Sequence, residues 1–323
     1  MCIAVISTAH PSYPLIIIDN RDEYLRRPTS AADWWPDPNA HILSSRDLAR
    51  ASHGTWMGVT SEGKVAVLTN YREQTADQAT GVHSRGAIVN RWLTAPPGQG
   101  QGTREFVQEL VGSSALNTVG GFSLVCGYVD EPLAIVSNRA SDMEHIAWVA
   151  SEKGQTRGLS NTSFGDRSWP KIPDGERLLD EAVEAHVRAG EDEDEDALIA
   201  RLLQVLSTDT LPQIPEHAPA AESVHLLRKS IFVPVIGAKE ESDRAADEIP
   251  AACVQDKTGV RDDKGGELDQ AYMSGAYGTQ KQTVLLMDAT RRVRYFERTL
   301  YDNEVNPIPA GKGDRSFEFV VDR

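Results

Sequence analysis

Cys2-Ile3-Ala4-Val5-Ile6 and Leu15-Ile16-Ile17-Ile18-Asp19-Asn20-Arg21-Asp22-Glu23, separated by His10-Pro11-Ser12-Tyr13-Pro14, are the stretches whose reading decides the fold. The apolar runs Ile3–Ile6 and Leu15–Ile18 are rich in β-branched residues and bounded by Pro and Ser, so they read as two strands joined by a turn. Antiparallel pairing about that turn sets Cys2 opposite Asn20 to Asp22. A thiol then lies beside Asn20-Arg21-Asp22-Glu23, a dense set of reactive and charged groups for one hairpin end.

The rest of the chain bounds what that end can be. At 323 residues it can bury a large core, and 40% hydrophobic residues with a mean hydropathy of −0.39 describe a soluble protein. No apolar run is long enough to span a bilayer, and no secretory signal or basic presequence opens the chain. A net charge of −15 argues against non-specific binding to nucleic acid or anionic lipid. The three cysteines, Cys2, Cys126 and Cys253, have no paired spacing, so a reducing, cytoplasmic setting without disulfides is expected.

Working outward, Trp34-Trp35-Pro36 reads as a loop anchored on the core. The runs around Ser61-Glu62-Gly63 read as a second hairpin. Gly58 to Lys64 has the spacing of a phosphate-binding loop. However, Val65 stands where Ser or Thr would bind magnesium, and a strand follows, so a nucleotide site is rejected. Ser84 and Thr103 are expected to cap two helices, with Ile88, Val89, Trp92 and Leu93 on one face of the first and Phe106, Val107, Leu110 and Val111 on one face of the second. The Gly- and Pro-rich stretch between them, 96–102, is expected to be a flexible connection. Strict alternation of Phe122, Leu124, Cys126 and Tyr128 marks a strand and makes Cys126 a core thiol. Leu133–Ser137, His145–Val149, Ser230–Val235, Thr283–Met287, Val293–Leu300 and Phe317–Val321 read as further strands. A helix carrying Leu178, Leu179, Ala182, Val183 and His186 and another at Ala197–Leu206 lie between them. The acidic run 191–196 is expected to be a solvated surface segment, 207–221 a linker, and 237–266 a mobile insertion that includes Cys253. Strands at both ends with helices between favour one mixed domain over residues 1–323.

The chemistry narrows to few groups. The eight histidines include no pair at metal spacing, and neither Cys-x-x-Cys nor Gly-x-Ser-x-Gly occurs, so no metal site and no such serine hydrolase is expected. Removal of Met1 would make Cys2 a free N-terminal cysteine whose α-amine can act as general base on its thiol. Arg21 is expected to lower the thiol pKa and Asp22 to hold or orient the amine. Side-chain amides such as Asn70 and Asn161 are candidates to donate to an oxyanion. Taken alone, Cys2 is more plainly a small residue tolerated at position 2.

Ordered motifs change that weighting. Met1-Cys2-Ile3, Asn20-Arg21-Asp22-Glu23, Gly54-Thr55-Trp56-Met57-Gly58, Leu68-Thr69-Asn70-Tyr71, Gly158-Leu159-Ser160-Asn161 and Tyr277-Gly278-Thr279 follow one another as in a single family. The chain resembles the NRDE-domain family, also called transport and Golgi organisation protein 2, over nearly its whole length. The resemblance implies an α+β fold like that of N-terminal nucleophile hydrolases: a four-layer αββα sandwich of two antiparallel sheets flanked by helices. By analogy with bile-salt hydrolases and penicillin V acylases, it implies Cys2, Arg21, Asp22, Asn70 and Asn161 as catalytic residues. Asn20, Glu23, Trp56, Tyr71, Tyr277 and Thr279 are the substrate-binding candidates. Those enzymes also place an Arg late in the chain, whereas here Gln280 follows Tyr277-Gly278-Thr279.

Two function classes stay open. One is a role in Golgi organisation and protein secretion, or in cytoplasmic or mitochondrial haem or lipid handling. The other is an N-terminal-cysteine amidohydrolase or thioesterase. The expected partner is a small amide, acyl or haem-like ligand, without nucleic acid. No cofactor is expected from the residues themselves; haem enters through the resemblance alone.

Overall fold

A computed structural model describes residues 1–72, 84–95, 102–113, 119–139, 146–214, 223–237, 272 and 275–322. The opening hairpin forms as read: β1 (Ile3–Ser7) pairs antiparallel with β2 (Leu15–Tyr24), with Ile3 opposite Asn20 and Ser7 opposite Ile16. Its neighbours come from far along the chain. β10 (Thr156–Ser160) flanks β1, while β11 (Tyr277–Met287), β12 (Arg292–Thr299) and β13 (Asp314–Val320) extend the sheet beyond β2, giving the order β10-β1-β2-β11-β12-β13. The second sheet is a meander in sequence order: β3 (Asp33–Trp34), β4 (Ile42–Ser44), β5 (Met57–Thr60), β6 (Lys64–Asn70), β7 (Phe122–Tyr128), β8 (Leu133–Ser137) and β9 (Ala147–Val149).

Strand alternation sorts the side chains into layers. From β1 and β2, Ala4, Ile6 and Ile17 point between the sheets and meet Val59, Val65, Val67 and Val125 of the second sheet. Ile3, Val5, Ile16 and Ile18 point the other way, onto Leu179 and Val183 of α3 (Lys171–Ala189) and Leu198 and Leu202 of α4 (Glu195–Leu206). On the outer face of the second sheet, Leu124 and Cys126 pack on Trp92 of α1 (Gly86–Leu93) and Phe106 of α2 (Thr103–Gly112). Each fully buried aliphatic side chain contributes roughly 1.5–3 kcal/mol. The result is the expected helix–sheet–sheet–helix stack. Among the described residues no helix is long and apolar enough to cross a membrane.

Several local expectations are corrected. Ser230–Val235 is not a strand. Pro234 has no N–H to give a ladder, so the segment follows β11 through isolated bonds, Val233 with Thr279 and Ile236 with Tyr277. Neither Ser84 nor Thr103 caps through its side chain; the N-caps are Arg85 and Gly102. The acidic run is more than a solvated face. Asp194 caps α4 by accepting from Ala197 N at 2.9 Å, Glu193 pairs with Arg201, and Glu195 and Asp196 pair with Arg292 and Arg294 on β12. Lys64 sits in a strand, its Nζ donating to Ala95 O at 3.0 Å and lying 5.2 Å from the Trp92 ring, which agrees with rejection of a phosphate loop. The expected insertion after Gly237, Cys253, His145, residues 96–101 of the Gly/Pro connection and residues 215–221 of the linker lie outside the described residues.

The hairpin turn is fastened by two buried histidines. His10 Nε2 lies 3.1 Å from His186 Nδ1, His186 Nε2 lies 3.1 Å from Asp194 O, and Ser12 N donates to His10 Nδ1 at 3.0 Å. One neutral arrangement satisfies all three bonds: His186 donates to Asp194, and His10 donates to His186. Burial, followed by the facing His186 ring, lowers the His10 pKa from 6.5 to about 4. The unfolded chain therefore binds the extra proton between those values, and stability rises with pH across that window and levels off above 6.5. Lowering the pH from 7 to 4 should cost on the order of 3 kcal/mol through this residue. His10→Gln should flatten that part of the stability profile, as read by urea unfolding at each pH.

Candidate functional site

Four strands end together where the hairpin begins. The β1–β2 register carries Cys2 opposite Arg21, and the β1–β10 register sets Ile3 against Ser160, so Asn161 emerges beside Cys2. β11 pairs Thr279 with Asp22 and Lys281 with Arg21, with an irregularity at Gln280 between them. β6 ends at Asn70 in the facing sheet. These ends enclose a cavity of about 300 Å³ whose lining includes Cys2, Arg21, Asp22, Glu23, Trp56, Asn70, Tyr71, Asn161 and Tyr277. Nine of the residues singled out from the sequence thus share one space.

Two do not line it. Asn20 points into the helical layer, where Nδ2 donates to Leu206 O at 2.7 Å and Ile231 O at 2.9 Å. It fixes the end of α4 to the sheet and is a structural residue. Thr279 stands behind the cavity, its hydroxyl donating to Asp22 Oδ1 at 2.7 Å and accepting from Val233 N at 2.9 Å.

Asp22 is the electrostatic centre. Its side chain is fully buried; Oδ2 lies 3.4 Å from the Met1 ammonium and 4.0 Å from Lys171 Nζ. The Met1 ammonium also donates to Tyr277 Oη, and Tyr277 Oη donates to Asp22 O at 3.1 Å. Lys171 Nζ donates to Met1 O, and Ser160 Oγ donates to Cys2 O at 2.6 Å. Burial is the largest influence on each titrating neighbour: it lowers the Met1 amine and Lys171 and raises Tyr277.

Arg21 behaves otherwise than expected. Its guanidinium donates to Gln280 Oε1, lies 3.8 Å from Asp47 and sits 4.5 Å over the Trp56 ring. Gln280 is held in turn by Leu25 O and Arg27 O. With Met1 in place the Cys2 thiol is not lowered. Burial pushes it up to about 11, against a smaller downward pull from the N-terminal ammonium, and its Sγ lies 3.8 Å from Asp22 O.

Sequence reasoning missed Lys171, the cleft arginines Arg27, Arg50, Arg72 and Arg85, and Asp19. A lysine opening a helix is at the wrong end of the helix dipole, a signal that was available. Asp19 lies beside Ala4 and Thr283, with neither carboxylate oxygen hydrogen-bonded; burial, then Asp22, pushes its carboxyl well above the usual range. Nothing in its local sequence separates it from Asp22. On the far side of the cleft, Gly54 and Gly86 meet backbone to backbone. A Cβ on Gly54 would stand 2.8 Å from Gly86 Cα. This contact brings the start of α1 to the cavity rim.

The fold and site define an α+β sandwich with a cysteine, a buried carboxylate and two asparagines converging at one cavity. The model of the transport and Golgi organisation 2 family matches residues 1–302, and the chain belongs to that family. A transport and Golgi organization protein 2 homolog of Homo sapiens is 28% identical over 321 residues, covering 96% of this chain and 94% of the human protein. The homolog of Bos taurus is 28% identical over 298 residues, covering 91% and 89%. Among solved structures, penicillin V acylase from Agrobacterium tumefaciens superposes with a TM-score of 0.45 at 13% identity, covering 98% of this chain and 85% of the acylase. A mutant conjugated bile acid hydrolase from Clostridium perfringens gives 0.36 at 11% identity, covering 99% and 98%.

The clamp on Asp22 should be measurable. Thr279→Val removes a donor from a buried carboxylate and an acceptor from Val233 N, at about 1–3 kcal/mol for each group left unsatisfied. Chemical denaturation should show a loss of about 2–6 kcal/mol, largely restored in Thr279→Ser.

Proposed function

We propose that this chain is a cysteine-dependent hydrolase of the N-terminal nucleophile type, acting on a C–N amide or a thioester after removal of Met1. The observation that carries the reading is the convergence of Cys2, Asp22, Asn70 and Asn161 on one cavity at the chain start. In this reading the Cys2 thiol gives its proton to the Cys2 α-amine, and Sγ bonds to the substrate carbonyl carbon. Asn70 and Asn161 donate side-chain N–H groups to the developing oxyanion. The C–N or C–S bond then breaks, the leaving group takes the proton from the amine, and Cys2 is left as a thioester. Water adds to that thioester, giving a proton to the amine; the S–C bond breaks, the acid departs and the thiol is restored.

The cavity walls support a two-sided ligand. The Met1 side chain packs with Trp169, Ile172, Leu227, Val233 and Ile236, so its departure opens an apolar recess. In a chain of net charge −15, the described residues of the lining elsewhere include five arginines, Arg21, Arg27, Arg50, Arg72 and Arg85, against the carboxylates of Asp22, Glu23 and Asp47. Glu23, Trp56, Tyr71 and Tyr277 are the remaining side chains offered to substrate.

A second reading, binding without turnover, draws on the buried Met1 amine: while Met1 remains, the Cys2 nitrogen is an amide and has no base function. The cleft would then hold an acyl ligand, in keeping with a role in Golgi organisation, secretion or lipid handling. Haem fits less well. Among the described residues the cavity lining contains no histidine, and burial raises the pKa of both the Cys2 thiol and the Tyr277 hydroxyl, which works against either as an axial ligand.

Intact mass together with turnover of a panel of N-acyl amides and acyl thioesters separates the two. Loss of Met1 and hydrolysis that falls about 10³-fold or more in Cys2→Ala supports the hydrolase. A retained methionine, or turnover indifferent to Cys2→Ala, sinks it. Saturable acyl-ligand binding unaffected by Cys2→Ala favours the carrier.

A further inference from the structure

We propose that Lys171 is a positioning residue of the Cys2 centre: once Met1 has left, its buried ammonium faces the freed Cys2 amine beside Asp22 and holds that amine in the neutral form a general base requires. The inference rests on the reading that Cys2 works with its own amine. Lys171 is the first residue of α3 and its side chain is fully buried, with Nζ 4.0 Å from Asp22 Oδ2. Nζ donates to the carbonyl oxygen of Met1, which is joined through one carbon to the Cys2 nitrogen. The reach of a hydrogen bond plus those two bonds puts the ammonium within about 5 Å of that nitrogen.

This is an expensive place for a lysine. Burying an ammonium costs free energy, and a cation at a helix N-terminus opposes the helix dipole. Packing alone would favour an apolar residue here, because Trp169 and Ile172 on either side belong to an apolar cluster.

The groups facing the amine come from every neighbouring element. Asp22 and Glu23 on β2 favour the ammonium, as does the Cys2 thiol when ionised; Lys171 on α3 opposes it. Tyr277 on β11 sits across from it as a hydroxyl, Tyr24 lies against Tyr277, and Asp19 and Arg21 lie further along the inner face of β2. For the Met1 amine, one residue before it, burial is the largest influence towards the neutral form and Lys171 adds to it. With Lys171 charged, a neutral amine leaves one cation facing one Asp22 carboxylate. A protonated amine would leave two. Lys171 therefore makes the proton-accepting state of the base the balanced one.

The chain has only three cysteines, so protein labelled with [¹³C]cysteine gives few signals, and the Cys2 signal is identified by its loss in Cys2→Ser. The measurement is made on full-length protein lacking Met1, following the Cys2 Cα and Cβ shifts against pH. The wild-type amine should titrate below the ordinary value of about 8. Lys171→Met should move it up by about one to two pH units, and Lys171→Arg, which keeps the charge, should stay near wild type. A simple packing role would not produce that charge-dependent order. A wild-type amine titrating at or above about 8, or a Lys171→Met titration equal to wild type, overturns the proposal. If Lys171→Met does not fold, Lys171→Gln, which also removes the charge, takes its place and is read against the same two outcomes. Failure of the hydrolase reading is a separate result, turnover indifferent to Cys2→Ala, and leaves the amine titration readable.

Discussion

The structure turns on the buried carboxylate of Asp22. A carboxylate without exposed area is tolerated only when charges and donors surround it. Here they come from four places: the Met1 ammonium at the start of the chain, Lys171 at the start of α3, Thr279 on β11, and Tyr277 bridging through the Asp22 backbone oxygen. The central strand, its late-arriving neighbour, the helical layer and the N-terminus are thus tied at one point. Such a cluster contributes less to net stability than to geometry, because desolvation offsets much of the attraction. It fixes where the chain begins.

That fixing positions the opposite sheet as well. Cys2 faces the inter-sheet space with Ala4, and the facing wall is built by the end of β6 and by α1, which the Gly54–Gly86 contact draws close. Arg21 closes the wall from β2, stacked on Trp56 and held by Gln280 and Asp47. Gln280 therefore serves Arg21. A neutral amide in this position anchors one guanidinium without repelling it.

What was legible in the sequence follows from short-range rules. Period-2 alternation and the Pro-bounded turn located the hairpin, and its register followed within a residue, so Cys2 opposite Arg21 was readable. The ordered motifs brought in Asn70, Asn161 and Tyr277. Asn20 was misjudged because it shares strand parity with Asp22; parity cannot tell a residue beneath α4 from one at the open strand end, one pair further on. Ser230–Val235 looked like a strand because composition was weighed above Pro234. The position of Lys171 at a helix start was a signal in the sequence, but its partners were not legible, because Met1 and Asp22 lie some 150 or more residues away and only the assembled sheet brings β1 and β2 to the start of α3.

Charge balance links these parts. With Met1 present, two cations lie beside the buried Asp22 carboxylate, and burial already weakens both of them as cations. The site relieves this excess more readily by giving up a proton than by taking in a counter-ion, since Glu23 turns its carboxylate to the Tyr24 N–H and Asp19 is pushed towards its neutral form. Burial lowers both the α-amine and Lys171, and the α-amine starts from the lower ordinary pKa. In the proposed hydrolase the same burial that raises the thiol also favours a neutral amine, so the thiol would draw on a local base and not on a general fall in pKa. A buried, protonated cysteine at this position is consistent with nucleophilic chemistry only in that arrangement.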